Sequence, residues 1–118
     1  MELETIFNNV YAGLNRDRFN NTLPILPIKI TTGKKYIASC CTKNGELSHI
    51  NVSVDNLQVA GEEEITAILL HEMVHAYCIV NHIPHYDMNA GRHLPGFIDA
   101  AAEHGLFYDD DFNINFIF

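Results

Sequence analysis

Residues 62–80 read EEEITAILLHEMVHAYCIV, and this segment has the strongest helical pattern of the chain. It opens with three glutamates, and the first turn of a helix favours negative charge. Apolar residues then recur at helical spacing from Ile65 to Ile79. The pattern predicts a long, mostly buried helix over residues 62–80.

This predicted helix contains an HExxH motif, His71-Glu72-Met73-Val74-His75. Because His71 and His75 lie one helical turn apart on the same face, both imidazoles can point at one ion. Glu72 flanks that face, where a carboxylate can take a proton from a zinc-bound water and later deliver it to a leaving amine. Such short matches also occur by chance, but these side chains would be costly to bury unpaired on an apolar helix. The motif therefore predicts two zinc ligands and a general base.

A catalytic zinc ion usually has three protein ligands and one open position, so a third ligand is needed. We favour His93, because a ligand at the entrance of a second helix can be held rigidly against the first. The other candidates that follow the motif are His82, His85, Glu103 and His104.

The N-terminal half predicts a helix followed by a small sheet. Apolar residues recur at helical spacing between Leu3 and Leu14, which indicates a helix over residues 2–16. Three β-branched, partly alternating runs follow, and turn signals at residues 32–34 and 43–45 separate them. These short connections favour a three-stranded antiparallel sheet. Its strands are predicted at residues 28–32, 35–41 and 48–54.

The C-terminal part predicts a loop, a helix and a tail. Residues 81–92 have a loop composition. Pro95 lies in the first turn of a predicted helix that extends from about residue 94 to 105. Three aspartates then precede an alternating aromatic segment. We expect residues 109–118 to form either a terminal tail or an extra strand, which would pack on the domain or bind a partner.

Composition narrows the class of protein. With 118 residues, of which 47% are hydrophobic and 19% charged, the chain predicts a single domain over residues 1–118 with a real core. A net charge of −8 makes nucleic acid an unlikely partner, because that affinity depends on clustered Lys and Arg. The three cysteines form no CxxC pair, and the N-terminus resembles no signal peptide, so we expect a cytoplasmic protein.

Residues 69–77, LLHEMVHAY, followed by residues 91–97, GRHLPGF, resemble the SprT-like (Spartan-type) zinc metallopeptidase domain. The resemblance extends over most of residues 3–105. It implies a zincin-like α+β fold, one Zn²⁺ per chain at His71, His75 and His93, and a catalytic Glu72. The family's C-terminal zinc ribbon is not expected, since no second set of metal ligands follows His104.

The chain departs from the family pattern beside the third ligand. Leu94 stands where the family usually has glycine, and Gly96 replaces a commonly acidic or polar residue. An extra residue also separates Gly91 from His93. The Spartan branch of the family cleaves proteins crosslinked to DNA, but the sparse basic residues of this chain do not support that partner.

The sequence therefore predicts a metallopeptidase that hydrolyses peptide bonds through a zinc-bound water activated by Glu72. Candidates for stabilising the oxyanion, or for supporting the ligands, are Tyr86, His85 and Arg92 in the loop between the ligands. A peptide substrate could add to the predicted strand 48–54 by main-chain hydrogen bonds. Two alternatives remain: a zinc-binding, non-catalytic module that binds a partner, and a DNA-associated protease that acts with a basic partner.

Overall fold

A computed structural model describes residues 3–32, 37–53, 62–87 and 89–106. Over these ranges the chain has an α+β fold in which helices cover one face of a three-stranded sheet, and a two-stranded ribbon lies beside them. The elements in chain order are α1 (Leu3–Phe19), β1 (Ile28–Thr31), β2 (Ala38–Lys43), β3 (Glu46–Ser53), α2 (Glu62–Val80), β4 (Tyr86–Asp87), β5 (Arg92–His93) and α3 (Pro95–Glu103).

Helix α2 has the predicted bounds, whereas α1 is longer than its apolar periodicity indicates. The added turn of α1 ends at Phe19, which is buried and stacks on His104 with ring centroids 4.3 Å apart. The Asn15 side chain binds the segment that follows the helix. Its Nδ2 donates to the Leu23 carbonyl, and its Oδ1 accepts from the Leu23 N–H. Tertiary packing therefore extends α1 beyond residue 16.

The three-stranded sheet is mixed, so the prediction of an antiparallel sheet was wrong. Strands β2 and β3 do form the predicted hairpin, and Asn44 and Gly45 both have positive φ (54° and 82°), as a type I′ turn requires. Strand β1, however, pairs in parallel with β3, which places β3 in the centre of the sheet. This order brings Ile28 beside Ile50 on the buried face.

The central position of β3 also corrects the expectation that a peptide adds to this strand. Its main chain pairs with β1 on one side and with β2 on the other. Strand β3 therefore has no free hydrogen-bonding edge to which a peptide could add. The edges of the sheet belong to β1 and β2.

Helix α2 packs against α1 and α3, and the inner face of the sheet covers it. Its apolar side chains Leu69, Met73 and Val74 are fully buried, together with Val52 of the sheet. A motif on this helix is therefore held by packing from several sides, which limits the motion of its side chains.

Some expectations concern residues outside the described ranges. They include the 109–118 tail and the turn near Gly33. Among the described helices, none is both long and apolar enough to cross a membrane.

Candidate metal centre

Three histidines come close together in the structure. Helix α2 contributes His71 and His75, which are 0% and 4% exposed, and β5 contributes His93. The ring centroid of His71 lies 5.1 Å from that of His75 and 5.0 Å from that of His93. The ring centroids of His75 and His93 are also 5.0 Å apart. The imidazoles thus form a nearly equilateral triangle, as expected of groups that share one ion.

The donor atoms of this triangle fit a metal ion. Within the described residues, His71, His75 and His93 offer ligand atoms that all lie within 4.8 Å of one another. Nε2 of His75 is 3.1 Å from Nε2 of His93. Two nitrogens bound to one tetrahedral zinc at about 2.0–2.1 Å would lie about 3.3–3.4 Å apart, so a small adjustment suffices.

The electrostatic setting keeps the three imidazoles neutral, which is the form that binds metal. Burial and the nearby His93 lower the pKa of His71 to about 3. Burial and His85 lower the pKa of His93 to about 4. The pKa of His75 is lowered as well, first by burial and then by the neighbouring imidazoles. At neutral pH each ring can therefore offer a lone pair.

Phe97 packs against all three imidazoles. This fully buried residue of α3 places its ring centroid 5.0 Å from His71, 4.3 Å from His75 and 4.4 Å from His93. The aromatic ring restricts the orientations available to the histidines and shields them from water. The sequence analysis did not predict this role, although the position of Phe97 four residues after His93, in the first turn of a predicted helix, is a signal that could have indicated it.

Glu72 lies in the same buried region with its carboxyl group fully enclosed. Within the described residues, neither of its carboxylate oxygens has a hydrogen-bond partner. Burial, followed by the charge of Cys41, raises the pKa of Glu72 well above its ordinary value, and the nearby Cys40 N–H only partly opposes this. Burial thus disfavours the ionised form of the Glu72 carboxyl group, which follows His71 directly on α2.

The β4–β5 ribbon brings His93 back to α2. Asp87 ends β4, and its side chain accepts hydrogen bonds from the N–H groups of Asn89 and Ala90. Gly91 follows with a positive φ of 66° and donates to the Asp87 carbonyl, which closes the turn. The strands then pair Tyr86 with His93. Arg92, the residue between Gly91 and His93, lies in β5 opposite Asp87.

The other candidate residues occupy different places. His82 and Glu103 are exposed, and the His104 side chain bonds to the Ala100 carbonyl through Nδ1. His85 contacts His75, with 2.8 Å between their Nδ1 atoms. The Tyr86 ring lies 5.1 Å from His93 and 6.4 Å from His75, whereas Arg92 is exposed.

The two adjacent cysteines were not connected with this site by sequence reasoning. Cys40 lies close enough to Glu72 for the carboxylate to raise the pKa of its thiol, after the larger effect of burial. A raised pKa keeps this thiol protonated, which disfavours a reactive thiolate. Together with the packing of α2 on β2, this interaction places β2 alongside the HExxH motif.

The sequence was compared with models of protein families. A family model described as the SprT-like family matches residues 7–108. The match begins in α1 and extends beyond α3, so it includes the three histidines and Glu72. The chain has no significant sequence match among curated proteins. On the breadth of the family match, this chain belongs to the SprT-like family.

Proposed function

We propose that the protein is a zinc-dependent peptidase in which His71, His75 and His93 hold one zinc ion and Glu72 acts as the general base. The observation that carries this proposal is a fully buried carboxyl group beside three convergent imidazoles. Burying a carboxyl without hydrogen bonds costs stability, and a site that only stored metal would gain nothing from it. Membership of the SprT-like family supports the same function.

The protein's own groups supply the proton transfers. When bound, zinc acts as a Lewis acid that polarises a carbonyl and lowers the pKa of water. Glu72 takes a proton from the attacking water and gives it to the leaving amine. Burial raises the pKa of Glu72, which makes its carboxylate a stronger proton acceptor than an exposed one. Each neutral imidazole would carry its single proton on the nitrogen that does not face the metal.

We assign the substrate-binding edge to β2. Only β3 pairs with β2 among the described strands, so the other side of β2 can accept a peptide. The interaction between Cys40 of β2 and Glu72 supports this assignment, because it places the strand near the proposed general base. An extended peptide that adds to β2 by main-chain hydrogen bonds would bring its carbonyl groups toward the histidines. Recognition of this kind depends little on side chains, which favours unfolded or flexible protein segments as substrates.

Tyr86 is our candidate for stabilising the negative charge that develops on the carbonyl oxygen. Among the three candidates, it combines a hydroxyl donor with a ring beside two of the histidines. We expect Tyr86→Phe to lower kcat by about 10²-fold, the typical effect of losing one such donor, with zinc affinity unchanged. The matched control is Tyr77→Phe, since the Tyr77 ring packs against Phe19 and His104. An unchanged kcat in the Tyr86 variant would remove this residue from the mechanism.

Metal removal tests the proposed function. The purified protein is incubated with a fluorescently labelled unfolded protein and with a peptide library, and products are identified by mass spectrometry. We expect cleavage that stops after chelation and returns on addition of one equivalent of zinc. Cleavage that persists after zinc removal would contradict the proposal. A zinc-loaded protein that leaves all these substrates intact would also contradict it, and would favour the non-catalytic binding module.

The acidic charge of the chain favours protein substrates over nucleic acid. With a net charge of −8, the protein repels phosphate groups unless a basic partner is present. We expect no salt-dependent binding to single- or double-stranded DNA in the same preparation. Such binding would instead favour the DNA-associated protease.

A further inference from the structure

The two ring nitrogens of His75 have different neighbours. Nε2 lies 3.1 Å from Nε2 of His93, on the side where the ligand atoms converge. Nδ1 lies 2.8 Å from Nδ1 of His85. Because the two nitrogens of an imidazole point in divergent directions, His85 contacts His75 from outside the ligand cluster.

We propose that His85 is a positioning residue that fixes the tautomer and the ring orientation of His75. An imidazole that offers Nε2 to a metal carries its proton on Nδ1. The short contact is then a hydrogen bond in which Nδ1–H of His75 donates to Nδ1 of His85. His85 must accordingly carry its own proton on Nε2. This inference rests on the proposed zinc site and assigns to His85 a role outside the three ligands.

The backbone around His85 is fixed from two directions. Its carbonyl accepts a hydrogen bond of 3.0 Å from the N–H of Leu94, directly before α3. On the other side, Gly96 allows a close approach: a Cβ there would lie 2.5 Å from the Pro84 carbonyl oxygen and 2.8 Å from Cγ2 of Ile83. Real Cβ atoms essentially never come this close, so any larger residue would push the loop away.

The departure from the family pattern at Gly96 thus acquires a physical reason in this chain. The missing side chain lets the segment before β4 lie against the first turn of α3. That segment leads directly into His85, and α3 begins at Pro95, two residues after His93. One close contact therefore sets the ligand His93 and the supporting His85 relative to each other, while His75 is fixed on α2.

The test uses the full chain and measures zinc affinity by competition with a chromophoric chelator. His85→Ala removes the acceptor, and we expect zinc to bind about 10–100-fold more weakly, the usual cost of losing a partner of a metal-bound histidine. His85→Asn places an amide oxygen near the position of Nδ1, so it should recover most of this loss. His82→Asn is the matched control, because this exposed loop histidine has a φ of 57° that asparagine tolerates. It should bind zinc like the wild type.

A second readout follows the His75 ring itself. In nitrogen-15 NMR spectra of zinc-loaded wild type and of His85→Asn, His75 should carry its proton on Nδ1. Circular dichroism establishes that each variant is folded. A folded His85→Ala protein with wild-type zinc affinity would overturn the role of His85, and so would a His75 proton on Nε2.

The failures of the two proposals can be told apart. A wild-type protein that binds no zinc overturns both. A wild type that binds zinc and cleaves peptides, next to a His85→Ala variant of equal zinc affinity, overturns only the positioning role. A loss of zinc in His85→Ala as complete as in His93→Ala, with no recovery in His85→Asn, would make His85 a ligand and also overturn it.

Discussion

Replacing Glu72 by glutamine is expected to leave zinc binding intact and to reduce peptide cleavage by about 10³-fold. Glutamine has nearly the same shape as glutamate but cannot take a proton from water, and general acid–base catalysis typically contributes about 10²–10⁴-fold. The three histidines keep their positions, since the substitution leaves their contacts with one another, with Phe97, with His85 and with Tyr86 in place. The measurement is kcat/KM on a labelled peptide, together with the zinc content.

The same substitution should not lower the melting temperature. The Cys40 N–H, which lies near the Glu72 carboxyl group, can donate to the amide oxygen of glutamine as well. Glu103→Gln is the matched control, because it makes the same chemical change at an exposed position of α3 and should leave activity unchanged. Undiminished cleavage by Glu72→Gln would remove Glu72 from the mechanism. A variant without zinc would instead indicate that Glu72 holds the metal.

Replacing His93 by alanine is expected to weaken zinc binding by more than about 100-fold. Loss of a ligand must cost more than loss of a hydrogen-bonded partner of a ligand, for which about 10–100-fold is typical. The remaining pair on α2 would leave two positions to solvent, and cleavage should be lost with the metal. Zinc per chain is measured after dialysis against a competing chelator.

His49→Ala is the control for this variant. His49 lies on β3 and bonds to Ser48, and it is not a member of the ligand triangle. It should keep one zinc per chain. If His93→Ala retained zinc with wild-type affinity, the third ligand would have to be sought elsewhere in the chain.

The local parts of the site could be predicted from the sequence. His71, Glu72 and His75 are related by helical spacing alone, so recognising one buried helix was enough to place them on one face. The hairpin at Asn44 and Gly45 is local in the same sense, because a two-residue turn fixes which strands it joins.

The non-local parts could not be predicted in this way. The parallel pairing of β1 with β3 depends on which apolar faces meet in the core, and periodicity does not encode strand order. The contact between His75 and His85 joins a residue of α2 to a residue of the following loop, and no helical or strand spacing relates the two positions. The length of α1 depends on the stacking of Phe19 on His104, which lies at the other end of the sequence.

The proposed function requires one zinc ion between His71, His75 and His93. A crystal of the zinc-loaded protein, with diffraction data collected on both sides of the zinc absorption edge, tests this most directly. We expect one anomalous peak per chain at about 2.0–2.1 Å from one nitrogen of each histidine, with Glu72 outside bonding distance. A peak on other residues, or no peak at this cluster in crystals grown with excess zinc, would contradict it.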